Sequence, residues 1–513
     1  MVQRPIMSML TAIAVAGLLA AASAQGATTG GLLKAALDLD PPTMDPHLSG
    51  SAVDRQVFQN LYDKLVDIDE NLAIVPMLAA SWTISPDGKT VTFKLRQGVK
   101  FHDGTPFNAE AVKANFDRMR DPKFPSVRRS EIAPVANVVP VDAATVQVTL
   151  ERPYSPLLYV LTDRAGMMLS PTATQKDGLN FALHPVGTGP FVFVEKIPQD
   201  HITLRRNPDY WENGLPHLDG IVYRIITDDN ARVANLKSGD VDIISTVPLP
   251  QVKELAADAA RPGARFRLLQ HGAIAWTAIA LNVTKPPFDN KLLRQAFAAT
   301  VDRDAIANVV LQGAAYPAHF FFPNGTPAYD AAWKLPPRNV ALAKEKLQAG
   351  GHPEGFTFTF LTQPGQQRLA VAQAIQAMAA DGGIQMKIQV VDQGAIIDAI
   401  SHLKEEAALI EWSGRPDPDF DIYPFTTQSG IGSFNYTGYN NQRVQTLLDA
   451  ARYLGNMGQR RRAYGEVTKL LADDVPYVWL YFPKEYKLIS TRVHGFVQVP
   501  DGMMRFRGVA LSP

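Results

Sequence analysis

The sequence predicts an α/β protein of two or three domains, on three observations. At 513 residues the chain is too long to fold around one core. An early block of alternating strands holds a single amphipathic helix, and the later half alternates helix, strand and helix with periods of 3.6 and 2. With 46% hydrophobic and 19% charged residues the composition is that of a globular protein, so disorder is not the starting assumption.

Residues 1–24 stand apart from any fold. Arg4 supplies a short basic start, residues 7–22 are nearly continuous apolar sequence, and Ala22-Ser23-Ala24 forms a small-residue cleavage site before Gln25. A second cut is available after Ala27. No other stretch approaches the ~18 apolar residues of a membrane span, so the reading is a cleaved signal peptide and a soluble chain in a bacterial periplasm. The chain has no cysteine, which excludes a lipid on an N-terminal thiol, disulfides, thiolate metal sites and thiol nucleophiles. Fifty basic and fifty acidic residues cancel without blocks of one sign, which argues against nucleic acid or an anionic membrane surface as a partner. The run Arg460-Arg461-Arg462 reads as the solvated face of a helix backed by Val467, Leu470 and Leu471.

The elements follow in order. Residues 32–39 are a short apolar strand ending at Asp40-Pro41-Pro42. Residues 81–96 are a hairpin about Ser85-Pro86-Asp87-Gly88, with Val91, Phe93 and Leu95 alternating against Thr92, Lys94 and Arg96. A turn at 101–107 feeds a helix capped by Asn108, with Val112, Phe116 and Met119 on one face. A strand holding Val146, Val148 and Leu150 closes this α+β block. His102 and Asp103 read as a polar turn bonded to backbone. Residues 184–191, dense in Gly and Pro, read as an interdomain crossing. Strands follow at 202–204, 221–226 and 241–244, with a helix from Asn230. After a composition change near 276–282, helices carry Leu293, Phe297 and Val301, then Leu369, Ile375 and Met378 up to Gly382-Gly383. The strand after them alternates Ile384, Met386, Ile388 and Val390, and a strand at 477–482 precedes a polar tail.

Residues 412–419 (Trp-Ser-Gly-Arg-Pro-Asp-Pro-Asp) concentrate the chemistry. One glycine and two prolines exclude a helix interior or central strand, so this is a stiff loop after the apolar strand 407–410. It presents an indole, a guanidinium and two carboxylates, which suits a small zwitterion or carboxylate. The plainer reading is a surface turn with Arg415 and Asp417 paired to each other. No Gly-x-Ser-x-Gly elbow, no His-Glu-x-x-His pair and no ligand spacing among ten histidines supports a hydrolase or a metal site.

Six motifs in order carry a resemblance: 42–47 (Pro-Thr-Met-Asp-Pro-His), 61–66 (Leu-Tyr-Asp-Lys-Leu-Val), 95–107 (from Leu95 to Phe107), 187–191 (Gly-Thr-Gly-Pro-Phe), 206–211 (Arg-Asn-Pro-Asp-Tyr-Trp) and 292–297 (Leu-Leu-Arg-Gln-Ala-Phe). Together they resemble the family 5 extracellular solute-binding proteins of ABC importers, the group of dipeptide-, oligopeptide- and nickel-binding periplasmic proteins. The resemblance implies an α/β, periplasmic binding protein-like fold (type II, cluster C) of two hinged lobes with an appended α+β domain. Residues 25–56, 186–275 and 484–513 would form the discontinuous first lobe, 57–185 the appended domain and 276–483 the second lobe. A hinge closure would trap a small-molecule ligand, a peptide or organic carboxylate. The partner would be an inner-membrane ABC permease with its ATPase subunits, and the chain would be a monomer that is not an enzyme and needs no cofactor. A sensory binding protein for a chemoreceptor is the alternative, and a secreted hydrolase the more distant one.

In this fold the loop 412–419 would border the cleft. Arg415 would grip a ligand carboxylate through two parallel hydrogen bonds. Peptide binders of the family set an Asp near this position against the ligand's ammonium, a role Asp417 or Asp419 matches in kind, while Asp419 and Asp421 are also candidate caps of the following helix or turn. Trp412 either stacks on the ligand or roofs the strand. Asn435 and Tyr436, in a loop before a helix capped by Asn440, reach the cleft or shape a turn, and Trp276 contacts ligand or packs in the core. Dipeptide binders carry a basic residue on the loop that here is 362–368; Gln363 or Gln366 would be neutral donors there, and Arg368 falls near the helix start. The resulting charge layout departs from a dipeptide site and suits a ligand with one dominant carboxylate, such as an acylated, aromatic or opine-like acid.

Overall fold

Short apolar segments from both ends of the chain converge on one mixed sheet. The computed structural model describes residues 30–513; the signal-peptide reading of residues 1–24 lies outside the described residues. In spatial order the sheet runs Gln385–Val390, Thr357–Thr362, Ala407–Trp412, Trp276–Leu281, Tyr477–Ser490, Ile243–Ile244, Leu32–Leu37, Gly220–Ile225, His201–Arg206 and Phe191–Ile197. Its middle strand is longer than the sequence pattern suggests. Tyr477–Ser490 pairs over its first half with Trp276–Leu281, and over its second half with Phe266–Gly272 and Ile243–Ile244. Buried Val478 and Leu480 serve one core, and buried Leu488 and Ile489 serve others. One continuous strand therefore joins the two halves of the molecule.

The early block is a four-stranded antiparallel sheet, ordered Ala79–Ile84, Thr90–Leu95, Thr145–Leu150 and Val135–Asp142, packed against the helix Ala109–Arg120. Asn108 caps that helix by accepting the Ala111 N–H at 3.0 Å, an interaction of about 1 kcal/mol. Val112, Phe116 and Met119 point into a core with Phe93, Val146 and Val148, each large side chain contributing roughly 1.5–3 kcal/mol by leaving water. The crossing at 184–191 is fastened to the turn at 101–107. The His102 imidazole meets the Gly189 carbonyl at 3.0 Å and accepts the Gly187 N–H at 3.2 Å. Burial pushes its pKa down to about 4, so it stays neutral.

In the other half, Lys291–Thr300 and Gln366–Asp381 bury Leu293, Phe297, Val371 and Ile375 against the sheet. The cap of the helix Gln442–Tyr453 is Asn441, one residue beyond the expected Asn440, and it accepts the Arg443 and Val444 N–H groups. Among the described residues no helix is long and apolar enough to cross a membrane.

Candidate ligand-binding cleft

The loop at 413–418 leaves the strand Ala407–Trp412 and enters the helix Asp419–Thr426. Its path requires glycine at 414, where φ is +74° and a Cβ would lie 2.1 Å from the Ile274 carbonyl oxygen. The loop is thus pressed against the segment that joins the two halves of the molecule. Trp412 donates its indole N–H to Asp421 Oδ1 at 2.8 Å, and the Arg415 N–H donates to the same oxygen at 3.2 Å. Asp421 therefore ties down the start of the loop rather than capping the helix, and burial pushes its carboxyl well up.

The acids separate from Arg415. Asp417 is fully buried and receives Arg460 through both terminal nitrogens, while its Oδ1 also accepts the Asp419 N–H at 2.8 Å. The expected Arg415–Asp417 surface pair is not formed, and Arg460 is not on a solvated face: it is 3% exposed and also meets the Tyr464 hydroxyl. Only Arg461 and Arg462 face solvent. Asp419, also fully buried, receives Arg452 from Nε and Nη2 at 2.8–3.0 Å. That guanidinium lies 3.4 Å over the Tyr423 ring. The oxygens of Asp417 and Asp419 expected to meet a ligand ammonium are occupied by arginines, because two buried carboxylates need partners inside the protein.

Arg415 points the other way. It lies over the Trp412 ring at 4.8 Å and donates to the Gly414 carbonyl at 2.7 Å and to Ser413 Oγ at 3.3 Å. Across a narrow cavity stand Glu131, Tyr159, Val160 and Asp163, facing Arg415, Pro416, Asp417 and Phe420. Asp163 bonds Arg55 Nε at 3.1 Å and lies 3.9 Å from Arg164 Nε. Burial opposes its ionisation, but Arg55, Arg164, Arg415 and Arg128 outweigh it and hold the carboxyl well below the usual range. The two walls also touch outside this cavity. The Ser155 N–H donates to the Arg452 carbonyl at 2.8 Å, and Arg152 sits 5.2 Å over the Tyr453 ring.

Half-buried Trp412 and Tyr436 and exposed Phe434 form an aromatic surface beside Arg415, joined through the buried Phe425. Trp276 takes its core reading: at 1% exposed it packs edge-on against Phe321, Phe425 and Trp479. Asn435 takes its turn reading, donating to the Thr427 and Tyr439 carbonyls from a buried position. Gln363 is half-buried just after Thr357–Thr362. Arg368 lies within the helix that follows and pairs with Glu411 at 2.6 Å. A larger cavity of about 570 Å³, with Tyr316, His319, Phe320 and Trp333 in its walls, contains none of the loop residues. It is lined from the 301–338 segment and Phe482 alone and is not shared between the two walls.

Residues 73–433 match the family described as bacterial extracellular solute-binding proteins, family 5 Middle. The chain belongs to this family. It is accordingly a substrate-binding component of an ABC importer, not an enzyme. It is 32% identical over 468 residues to the glutathione-binding protein GsiB of Salmonella typhi, with 90% of each chain covered. Its fold is similar to the periplasmic binding protein DppA of Helicobacter pylori in complex with the peptide STSA (TM-score 0.82, 28% identity, 95% and 99% of the chains covered). It is also similar to the binding protein AgaA of A. tumefaciens R10 in complex with agropinic acid (TM-score 0.80, 28% identity, 94% and 99% covered). The expected periplasmic binding protein-like architecture is thereby established, as is membership of a family that works outside the inner membrane.

Glu131 and Asp163 were not foreseen as part of the cleft. They come from segments more than 250 residues from Arg415, and no local pattern links them. Phe434 and Arg460 carried a signal. Phe434 adjoins two residues singled out, and Arg460 shares a helical face with Tyr464, Val467 and Leu471.

Proposed function

We propose that the protein captures a small carboxylate-bearing solute, a peptide or an organic acid, between its lobes and delivers it to an inner-membrane ABC permease with its ATPase subunits. The observation that carries this reading is Arg415 facing the Asp163 wall across the narrow cavity, with an aromatic surface at its side. The lobes are those of residues 25–56, 186–275 and 484–513 on one side and 276–483 on the other, with residues 57–185 as the appended domain that supplies Glu131 and Asp163. Arg415, Trp412 and Tyr436 are the contacts from the second lobe, with Gln363 at the edge and Phe434 added. Asp417 and Asp419 support the loop from behind. GsiB, DppA and AgaA, whose names and complexes speak of glutathione, a peptide and agropinic acid, support a small solute of this kind. The chain would act as a monomer in the periplasm after cleavage following Ala24 or Ala27.

The test is mass spectrometry of small molecules released by denaturing protein purified from the periplasm without added ligand. A carboxylate-bearing solute in stoichiometric amount is the expected result. A cargo without any acidic group would remove Arg415 as its anchor.

A further inference from the structure

The cavity of about 570 Å³ away from the cleft has in its wall a cation that the protein itself does not match. Arg303 is 7% exposed, yet its only hydrogen bond among the described residues runs from Nε to the Trp479 carbonyl at 2.8 Å. The other arginines buried to this degree each place a terminal nitrogen on an oxygen acceptor or in an ion pair. The carboxylates in the same wall do not pair with Arg303. Asp302 accepts the Ala305 N–H and Asp330 the Ala332 N–H, both at 2.9 Å, while Asp304 is exposed. The terminal nitrogens of Arg303 are not sealed in protein, as the Nε–H groups of Arg128, Arg164 and Arg232 are. Their open surface lies in the cavities that the side chain lines: this one, and a smaller one of about 310 Å³ that shares Leu335, Pro336 and Pro337 with it. Donors of this kind are costly to leave unmatched and are met best by an oxygen anion.

A second donor stands in the same wall. His319 accepts the Leu335 N–H at Nδ1, 3.1 Å away, which leaves the proton of the neutral ring on Nε2. Burial lowers the pKa of this imidazole, so the neutral form is kept. Its Nε2–H has no partner among the described residues and is not sealed in protein. Much of the remaining wall is aromatic. Half-buried Trp333 meets Phe320 and Phe322 with ring centroids 6.2 and 6.3 Å apart. A cavity of this volume is within the range that small molecules occupy. A planar guanidinium beside aromatic faces suits a ligand that is acidic at one end and flat and apolar at the other.

We propose that this cavity is a second ligand site, separate from the cleft, for a small aromatic carboxylate. The Arg303 guanidinium takes the carboxylate, the His319 Nε2–H donates to a further ligand oxygen, and the ring lies against Trp333 and Phe320. Every wall comes from residues 301–338 and Phe482, so occupancy needs no closure of one lobe on the other. The site is independent of whatever solute Arg415 holds.

Titration calorimetry on the full-length exported protein tests this with indole-3-acetate, phenylacetate and benzoate, each against its uncharged amide. At least one acid should bind in a one-to-one ratio to the Arg415→Ala variant, whose cleft has lost its anchor, and at least tenfold more tightly than its amide. Arg303→Gln and Trp333→Ala should each weaken that acid tenfold or more. Where loss of the Arg303 bond to Trp479 prevents folding, Trp333→Ala and the comparison with the amide decide. The site is overturned if none of the acids binds, if acid and amide bind equally, or if Trp333→Ala leaves the affinity unchanged. Binding abolished by Arg415→Ala also overturns it, because the acid then belongs to the cleft. The capture reading is judged separately, by the cargo released from the purified protein.

Discussion

Two sets of buried arginines lie back to back across the loop at 413–418, and they are used in opposite ways. Behind the loop, Arg460 and Arg452 each meet one carboxylate through two nitrogens, and Tyr464 and Tyr423 complete their surroundings. In front of it, Asp163 bonds Arg55 and lies 3.9 Å from Arg164, while Arg415 donates only to oxygens of its own loop. Desolvation is met in the first set by geometry inside the protein. In the second it is met less fully: the hydrogen bonds of Arg415 reach Ser413 and Gly414 but no carboxylate. Matched ion pairs hold the loop in shape, and under the proposed function Arg415 is the group left for a ligand.

The comparison breaks first, and hardest, behind the loop. Arg460→Met would leave Asp417 buried with only the Asp419 N–H, and unfolding by denaturant should show a loss of about 3–5 kcal/mol. Adding Asp417→Asn should recover most of that loss. In front of the loop the pattern should invert. Arg415→Ala should weaken a carboxylate ligand by at least about 2 kcal/mol in calorimetry, with folding stability almost unchanged, since removing one of several neighbouring cations relieves repulsion.

A mismatch of the opposite sign occurs at Glu405, whose two carboxylate oxygens are buried without partners and whose pKa burial pushes up to about 7. Because the folded state holds this proton more tightly than the unfolded chain, the contribution of Glu405 is intact below the usual glutamate range. It is lost as pH rises through 7. Glu405→Gln should therefore gain on the order of 2 kcal/mol over wild type at pH 8 and nothing at pH 4, measured as the difference between the two unfolding curves. The smallest effect belongs to the contact that brings the two walls together. Arg152→Ala removes an exposed cation–ring interaction with Tyr453, worth about 0.5–1 kcal/mol. It should weaken ligand binding two- to fivefold.

Local features were legible in the sequence because their causes are local. The Asn108 cap, the hairpin about Gly88 and the helix stop at Gly382-Gly383 each follow from residues a few positions apart, and all stand in the structure. The loop at 412–419 was legible as a stiff, chemically loaded turn. The partners of its charges were not, because Asp417 meets Arg460 from 43 positions away and Asp163 lies still farther from Arg415. Spacing within the loop suggested pairing Asp417 with its neighbour. What decides the matter is Arg460, which meets Asp417 through both terminal nitrogens from a helix the loop's own sequence does not contain, while Arg415 bonds only Ser413 and Gly414. The end of the strand at 477–482 was missed for a related reason: beyond Phe482 the chain continues as strand but changes its neighbours.

That strand has a consequence for how the molecule is made. Tyr477–Ser490 is the central member of the main sheet and follows every other strand of that sheet in the chain. Until it arrives, Trp276–Leu281 and Ile243–Ile244 each lack one neighbour, and Phe266–Gly272 lacks its partner. The sheet therefore cannot be completed progressively from the N-terminus; it must wait for the C-terminal segment and pair it over hundreds of residues, a slow, high-contact-order step. A nascent chain released or cut before residue 477 would carry open strand edges in both halves at once, a substrate for chaperones or proteases rather than a smaller working unit.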